Sequence, residues 1–274
     1  MDPIEKRAEE AERAEDLETA YELWKQLAAV NNDDESLLVR YGRVAEKLGK
    51  WEEAERAFTK AFRLAPTASW ILENIGGLWA HRTDKNEHES FETAKRWFLE
   101  ALKSERSARL LTQLGATHVA LNDNPAARMA FEEALQVDPN YEEALYNLGV
   151  LEEEPNPQKA IDLLERAIRI DAEYAEAHQV LGRLYQRAKD LVRADYHFRR
   201  SLDIDPADYW SNLYLANLLA TQGRAREAEQ MYRLATSLHP EIAGGIDLYA
   251  DFLESIGKAE EAAAVRESRN RPGC

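Results

Sequence analysis

Between residues 175 and 208, AEAHQVLGRLYQRAKDLVRADYHFRRSLDIDPAD, apolar residues return with a period of 3.6. That spacing predicts two amphipathic helices and nothing else. Leu181, Gly182 and Tyr185 share one face of the first helix, and Ala194, Phe198 and Ser201 share one face of the second. Gly182 and Ala194 are small where two antiparallel helices must approach closely, and Phe198 fills the space beside that contact. Pro206 stops the second helix, because it has no N–H to donate back to the preceding turn. The 34-residue pattern recurs eight times, in frames beginning at Met1, Glu35, Ser69, Ala108, Glu142, Ala175, Tyr209 and Ala243. The eighth position of each frame reads Ala8, Gly42, Gly76, Gly115, Gly149, Gly182, Ala216 and Ala250. The twentieth reads Ala20, Ala54, Ala94, Ala127, Ala160, Ala194, Ala228 and Ala262.

The departures from this period are local. The first frame opens with a nearly all-charged helix, DPIEKRAEEAERAED, whose only apolar edge is Ile4, Ala8, Ala11 and Ala14. That asymmetry is expected of a cap that buries one face and wets the other. Asp33 or Asp34 is a good N-cap for the helix that follows. The third frame carries about six extra residues, HRTDKNEHESFET, expected to form a protruding turn between longer helices. Asn124 before Pro125 reads as an N-cap followed by proline at the first helical position. In the fifth frame Pro155 stops one helix and Asn156-Pro157 starts the next. The last frame puts Arg266 and Arg269 at core positions, so its second helix has a polar outer face. With both ends polar, the expectation is a complete array ending in a frayed tail, RNRPGC.

Two columns of small residues at this spacing resemble the tetratricopeptide repeat, a helix-turn-helix with a 34-residue period. The resemblance covers nearly the whole chain. It implies an all-α fold, a right-handed superhelical solenoid of antiparallel helix pairs. The expected organisation is one solenoid over residues 1–274, with repeats 1–34, 35–68, 69–107, 108–141, 142–174, 175–208, 209–242 and 243–268 and a tail at 269–274. It also implies a concave groove lined by the first helix of each pair.

Composition narrows the partners. Among 274 residues, 51 acids against 35 Lys and Arg give a formal charge of −16. Such a surface argues against nonspecific binding to nucleic acid or to an anionic membrane. No window approaches the 18 or more apolar residues of a membrane span. The start, MDPIEKRAEE, has no basic-then-apolar leader. The single cysteine, Cys274, excludes an internal disulfide framework. A cytoplasmic protein is the simplest expectation.

Catalytic signatures are missing: there is no Walker A loop, nucleophile elbow, HExxH helix or GxGxxG turn. Carboxylate pairs on acidic helices read as solvated faces. His118 stands at the core position that Tyr185 holds in its own frame, and reads as an interior side chain. His81, Asp84, Glu87 and His88 crowd the insertion, where polar turns collect such residues. No catalytic, metal or cofactor site is assigned.

Binding is the remaining class. Positions 2, 5, 6, 9, 12 and 13 of each first helix form one stripe. Read along the frames, it offers Arg40, Arg43 and Lys47; Trp70 and Asn74; Arg109 and Gln113; Tyr146 and Asn147; Gln179 and Arg183; then Trp210, Tyr214 and Asn217. Arginines gather here although the chain is acidic, and guanidinium forks suit carboxylates. Asn74, Gln113 and Asn147 form an amide column at position six, which resembles the asparagine ladder by which some family members hold a peptide backbone. The family's carboxylate clamp is matched poorly: at its positions stand Val39, Arg43, Asn74, Arg109 and Gln113, and only Asn74 agrees in type. The expected function is a non-enzymatic scaffold that binds a protein or peptide segment, acidic or carboxylate-terminated, in the groove. The alternative is a regulatory or assembly module acting through convex or terminal surfaces.

Overall fold

The computed structural model describes residues 2–268. Arg269, Cys274 and the expected tail at 269–274 lie outside the described residues. Those described form sixteen α-helices and no strand. In chain order they are α1 (Pro3–Arg13), α2 (Leu17–Val30), α3 (Glu35–Lys47), α4 (Trp51–Leu64), α5 (Ser69–His81), α6 (Glu87–Ser104), α7 (Ala108–Ala120) and α8 (Asn124–Val137). There follow α9 (Glu142–Glu152), α10 (Pro157–Ile170), α11 (Ala175–Arg187), α12 (Leu191–Ile204), α13 (Tyr209–Thr221), α14 (Ala225–Leu238), α15 (Ala243–Ser255) and α16 (Ala259–Ser268). From α3 onward, every odd-numbered helix begins on the first residue of a 34-residue frame. The chain divides into two compact units, one ending at Asn147 and the other beginning at Leu148. Within each unit, helices pack chiefly against their neighbours in sequence, as in a solenoid of helix pairs.

The small-residue columns mark the close contacts. A Cβ added to Gly42, Gly76, Gly115 or Gly182 would lie 2.5–2.6 Å from the ring of Phe58, Phe98, Phe131 or Phe198 respectively. At Gly149 the facing side chain is Leu164, at 2.8 Å. Those four phenylalanines are almost fully buried, and each contributes roughly 1.5–3 kcal/mol of burial. The rings therefore set the spacing within a pair, and glycine is what lets them lie flat on the partner backbone.

A second periodic feature joins the helices of a pair. Glu15, Gly49, Asn122, Lys189, Gly223 and Gly257, the fifteenth residues of six frames, have φ between 57° and 83°. The residue after each donates its N–H five residues back, for example Asp190 to the Tyr185 carbonyl at 2.9 Å and Lys258 to Leu253 at 2.9 Å. This is a Schellman closure of the first helix. The same following residue then caps the second helix where it is an aspartate, as Asp16, Asp123 and Asp190 do. The two frames without this turn are the third and the fifth, where the spacing is irregular.

Two local expectations change and one is narrowed. The N-cap of α8 is Asp123, whose side chain accepts from the Ala126 N–H at 3.2 Å, and Asn124 is already helical. An aspartate directly before Asn124 can accept from the free N–H of the first turn, so the helix starts one residue earlier. Of the two expected candidates, Asp34 caps α3, accepting from both Ser36 and Leu37. The insertion at 82–91 lengthens only α6, to 18 residues, while α5 keeps 13. Residues 82–86 are no free protrusion, since the Arg82 side chain is buried and holds Glu55 at 2.7 Å, Asp84 at 2.6 Å and Glu52 at 3.7 Å. Its guanidinium also lies over the Trp79 ring at 4.9 Å.

Candidate functional site

The first helices of the N-terminal unit line one open cavity of about 770 Å³. Arg40, Arg43 and Lys47 reach it from α3, Trp70, Asn74 and His81 from α5, and Arg109 and Gln113 from α7. Seven residues of the stripe read from the sequence thus line this cavity, while Tyr146 and Asn147 of the same unit do not. Its charges are unequally balanced. Arg40 donates to Glu9 at 3.0 Å and lies over the Trp24 ring at 4.9 Å. Arg109 donates to Glu73 at 2.6 Å, and His81 meets Glu46 at 2.9 Å. Arg43 and Lys47 reach no carboxylate among the described residues. Two cations one helical turn apart therefore face the cavity without a counter-ion.

Glu73 is the group that a search for basic and amide side chains passes over. It occupies position five of its frame, on the same stripe, yet it is buried. Burial pushes its carboxyl above the usual glutamate range, and Arg109 pulls it back. The pair anchors α7 to α5 and leaves Arg109 itself largely exposed. The bond from Glu46 raises the His81 imidazole above its ordinary value, against the effect of burial.

The amide column is partly engaged already. Asn74 donates to the Trp70 carbonyl at 2.6 Å and Asn147 to the Glu143 carbonyl at 2.8 Å, each one turn back on its own helix. One amide N–H and the carbonyl oxygen of each remain for a ligand. Tyr146, also on α9, belongs to the same unit and has a partner of its own.

In the C-terminal unit the corresponding arginines are neutralised. Arg183 donates to Glu153, and Arg187 to Glu154 at 2.8 Å. Gln179 donates to Asp208 at 3.0 Å, while Asn217 accepts from the Tyr232 hydroxyl at 2.6 Å. What this unit presents instead is aromatic. Trp210 is exposed and stacks on Tyr214, with ring centres 6.0 Å apart and planes 25° apart. Tyr214 stacks in turn on buried Phe198 at 5.8 Å, and the Arg183 guanidinium lies 5.7 Å from its centre.

The remaining sequence candidates disperse. Asp84 is bound by Arg82 and His81 by Glu46, so the polar residues of the insertion do not converge. Among the described residues no three His, Cys, Asp or Glu side chains come together as a metal-holding group. His118 sits 3.5 Å from Asp123 through a buried Nδ1 that makes no hydrogen bond. No described helix is long and apolar enough to cross a membrane.

Comparison with known proteins agrees with this architecture. Two tetratricopeptide repeat models match residues 36–68 and 112–175. The chain is 33% identical to the protein O-mannosyl-transferase TMTC3 of Mus musculus over 129 residues, which is 41% of this chain and 14% of that protein. It is 24% identical to cellulose synthase operon protein C of Pseudomonas fluorescens over 237 residues, 79% of this chain and 18% of that protein. The chain spans between 14% and 23% of the length of the curated relatives it matches. Among solved structures, a chain of the APC/C hetero-tetramer Cut9-Hcn1 superposes with a TM-score of 0.73 at 17% identity, over 85% of this chain and 45% of that one. PilF of Pseudomonas aeruginosa gives 0.69 at 17% identity, over 81% and 97%. These two share the fold. With matched repeats lying on helix pairs whose glycine–aromatic contact returns from pair to pair, this chain carries tetratricopeptide repeats.

Proposed function

We propose that this protein is a non-enzymatic interaction scaffold whose N-terminal unit binds an extended protein segment carrying an acidic side chain or a free C-terminal carboxylate. The observation that carries the reading is the unpaired state of Arg43 and Lys47 on an open cavity, in a chain with a formal charge of −16. Elsewhere in that cavity cations have carboxylate partners, so these two are the positions where an incoming carboxylate gains a charge-assisted bond without breaking one. Each such bond contributes about 1.5–3 kcal/mol. Exposed Trp70, on the same cavity, supplies apolar area beside them, and Asn74 has hydrogen-bonding capacity left for the backbone of the segment. Repeat proteins bind through such surfaces, built from successive units, and the similar chain of the Cut9-Hcn1 structure was itself solved in a hetero-tetramer.

The test is selection of a displayed random peptide library with free C-termini on the whole chain. Enriched peptides are expected to carry Asp, Glu or a required terminal carboxylate. Arg43→Glu/Lys47→Glu should weaken them at least about tenfold, roughly 1.4 kcal/mol. Peptides that bind this variant as tightly as the wild type would refute the groove assignment.

A further inference from the structure

The second helix of the same repeat carries its own uncompensated charge. Of the seven bases in residues 35–68, only Arg40 and Lys50 reach a carboxylate, at 3.0 and 3.4 Å. Beyond Arg43 and Lys47, those with no carboxylate within ion-pair distance among the described residues are Arg56, Lys60 and Arg63, although Glu53 still feels the charge of Arg56. They stand on α4 at intervals of four and three residues, and so share one face over two turns, about 10 Å. The helix is not short of acids, but each is committed elsewhere. Glu52 and Glu55 serve buried Arg82. Glu53 accepts from the Tyr21 hydroxyl at 2.7 Å and from Tyr41 at 2.5 Å, with Lys25 at 3.9 Å. Like charges at these spacings destabilise a helix. This chain keeps them at an exposed site although it holds 51 acids.

Beside the stripe lies a slot of about 250 Å³ whose apolar lining is Ala28, Ala29, Leu38 and Ala57; Tyr41 and Glu53, already bonded to each other, also line it, and Lys25, Arg56 and Lys60 flank it. Arg56 and Lys60 also line the adjoining depression on α4, so the slot and the stripe are continuous. None of these residues lines the cavity between the first helices.

We propose that this face of α2 and α4 is a second docking surface, for an acidic amphipathic helical segment of a partner protein. The segment places one large apolar side chain in the slot and two or three carboxylates on Arg56, Lys60 and Arg63. Charge complementarity selects an acidic occupant, and the slot selects one with an apolar anchor. A nucleic acid is disfavoured, because a polyanion would also lie across the neighbouring repeat, where 11 acids face 4 bases. With the groove on its other face, the second repeat would hold two protein segments at once.

Library selection of helix-biased peptides on the whole chain tests this directly. The expected class is rich in Asp and Glu at helical spacing around a Leu, Ile or Phe. It loses affinity at least about tenfold on Arg56→Gln/Lys60→Gln/Arg63→Gln, and none on Arg43→Glu/Lys47→Glu. Ala29→Arg separates docking from bare attraction, since it adds positive charge while filling the slot. Loss of binding to Ala29→Arg supports the surface, and tighter binding overturns it. Selected peptides that depend only on Arg43 and Lys47 would overturn the second surface and leave the groove standing. A single-stranded oligonucleotide that binds the wild type more tightly than any acidic peptide, and is lost on the triple variant, would also overturn it. Circular dichroism confirms that each variant keeps its helix content, because every substituted side chain is at least partly exposed.

Discussion

Gly182 and Gly77 are both helical glycines, and one methyl group tells their roles apart. A Cβ at Gly182 would stand 2.5 Å from the Phe198 ring, which is fully buried and has nowhere to retreat. A Cβ at Gly77 meets nothing within 4 Å. Alanine is favoured over glycine within a helix by about 0.5–1 kcal/mol. Gly77→Ala is therefore expected to stabilise the N-terminal unit by about that amount. Gly182→Ala should destabilise the C-terminal unit by about 1–3 kcal/mol, because overpacking outweighs propensity. Denaturant unfolding of the two variants beside the wild type checks the sign at each site. The 34-residue column identifies Gly182, but its ring partner and its lack of spare room belong to the packed pair. Lys189 makes the same point for backbone. Its left-handed φ of 61° is the residue's share of a turn closed by Asp190, and nothing in a lysine announces it.

At the scale of an element pair, α11 and α12 enclose two histidines. The Nδ1 atoms of His178 and His197 are 2.9 Å apart and both side chains are buried, so one imidazole donates and the other accepts. Tyr185 stacks on the His197 ring at 5.4 Å, and Tyr196 meets it edge-on at 5.1 Å. Burial lowers both imidazoles below their ordinary 6.5, His197 to about 4, and the neighbouring charges of Arg193 and Arg200 act in the same direction. On acidification the unfolded chain takes up these protons before the folded one does. Stability present above pH 6.5 is therefore lost as the pH falls from there towards about 4. The C-terminal unit is expected to lose roughly 1–2 kcal/mol between about pH 7 and about pH 5 from this source. Denaturant melts at several pH values check it: His197→Phe should flatten the dependence, and an unchanged slope would assign it to other groups.

For the whole molecule, the sign of the total charge and the sign of the free local charge are opposed. On the proposed reading, an acidic peptide would approach a chain of formal charge −16 and bind two unpaired cations. Repulsion acts over the full Debye length, about 10 Å at 0.1 M salt, whereas the contact acts at bonding distance. Raising salt from about 0.02 M to about 0.15 M should then increase the association rate and also the dissociation rate. Stopped-flow fluorescence with a labelled peptide from the selected groove class separates the two. An association rate that falls with salt would mean that the local positive potential of the second repeat dominates the approach.

The amino-acid sequence by itself determined the helix pairs, their frames and the residues of the close contacts. Those follow from a 3.6-residue apolar period and from two columns of small side chains, which are local and repeat. It also placed Arg40, Arg43, Asn74 and Arg109 on one stripe, because the repeat carries each first-helix position onto the next. The tertiary structure decided which of those cations stay free. Arg183 and Arg43 occupy equivalent positions in the frame, yet Glu153 neutralises one and nothing described neutralises the other. Likewise Arg82 draws Glu52 and Glu55 away from the bases of their own helix. Pairing depends on distances between side chains 27 or more residues apart, and a period along the chain carries no record of them.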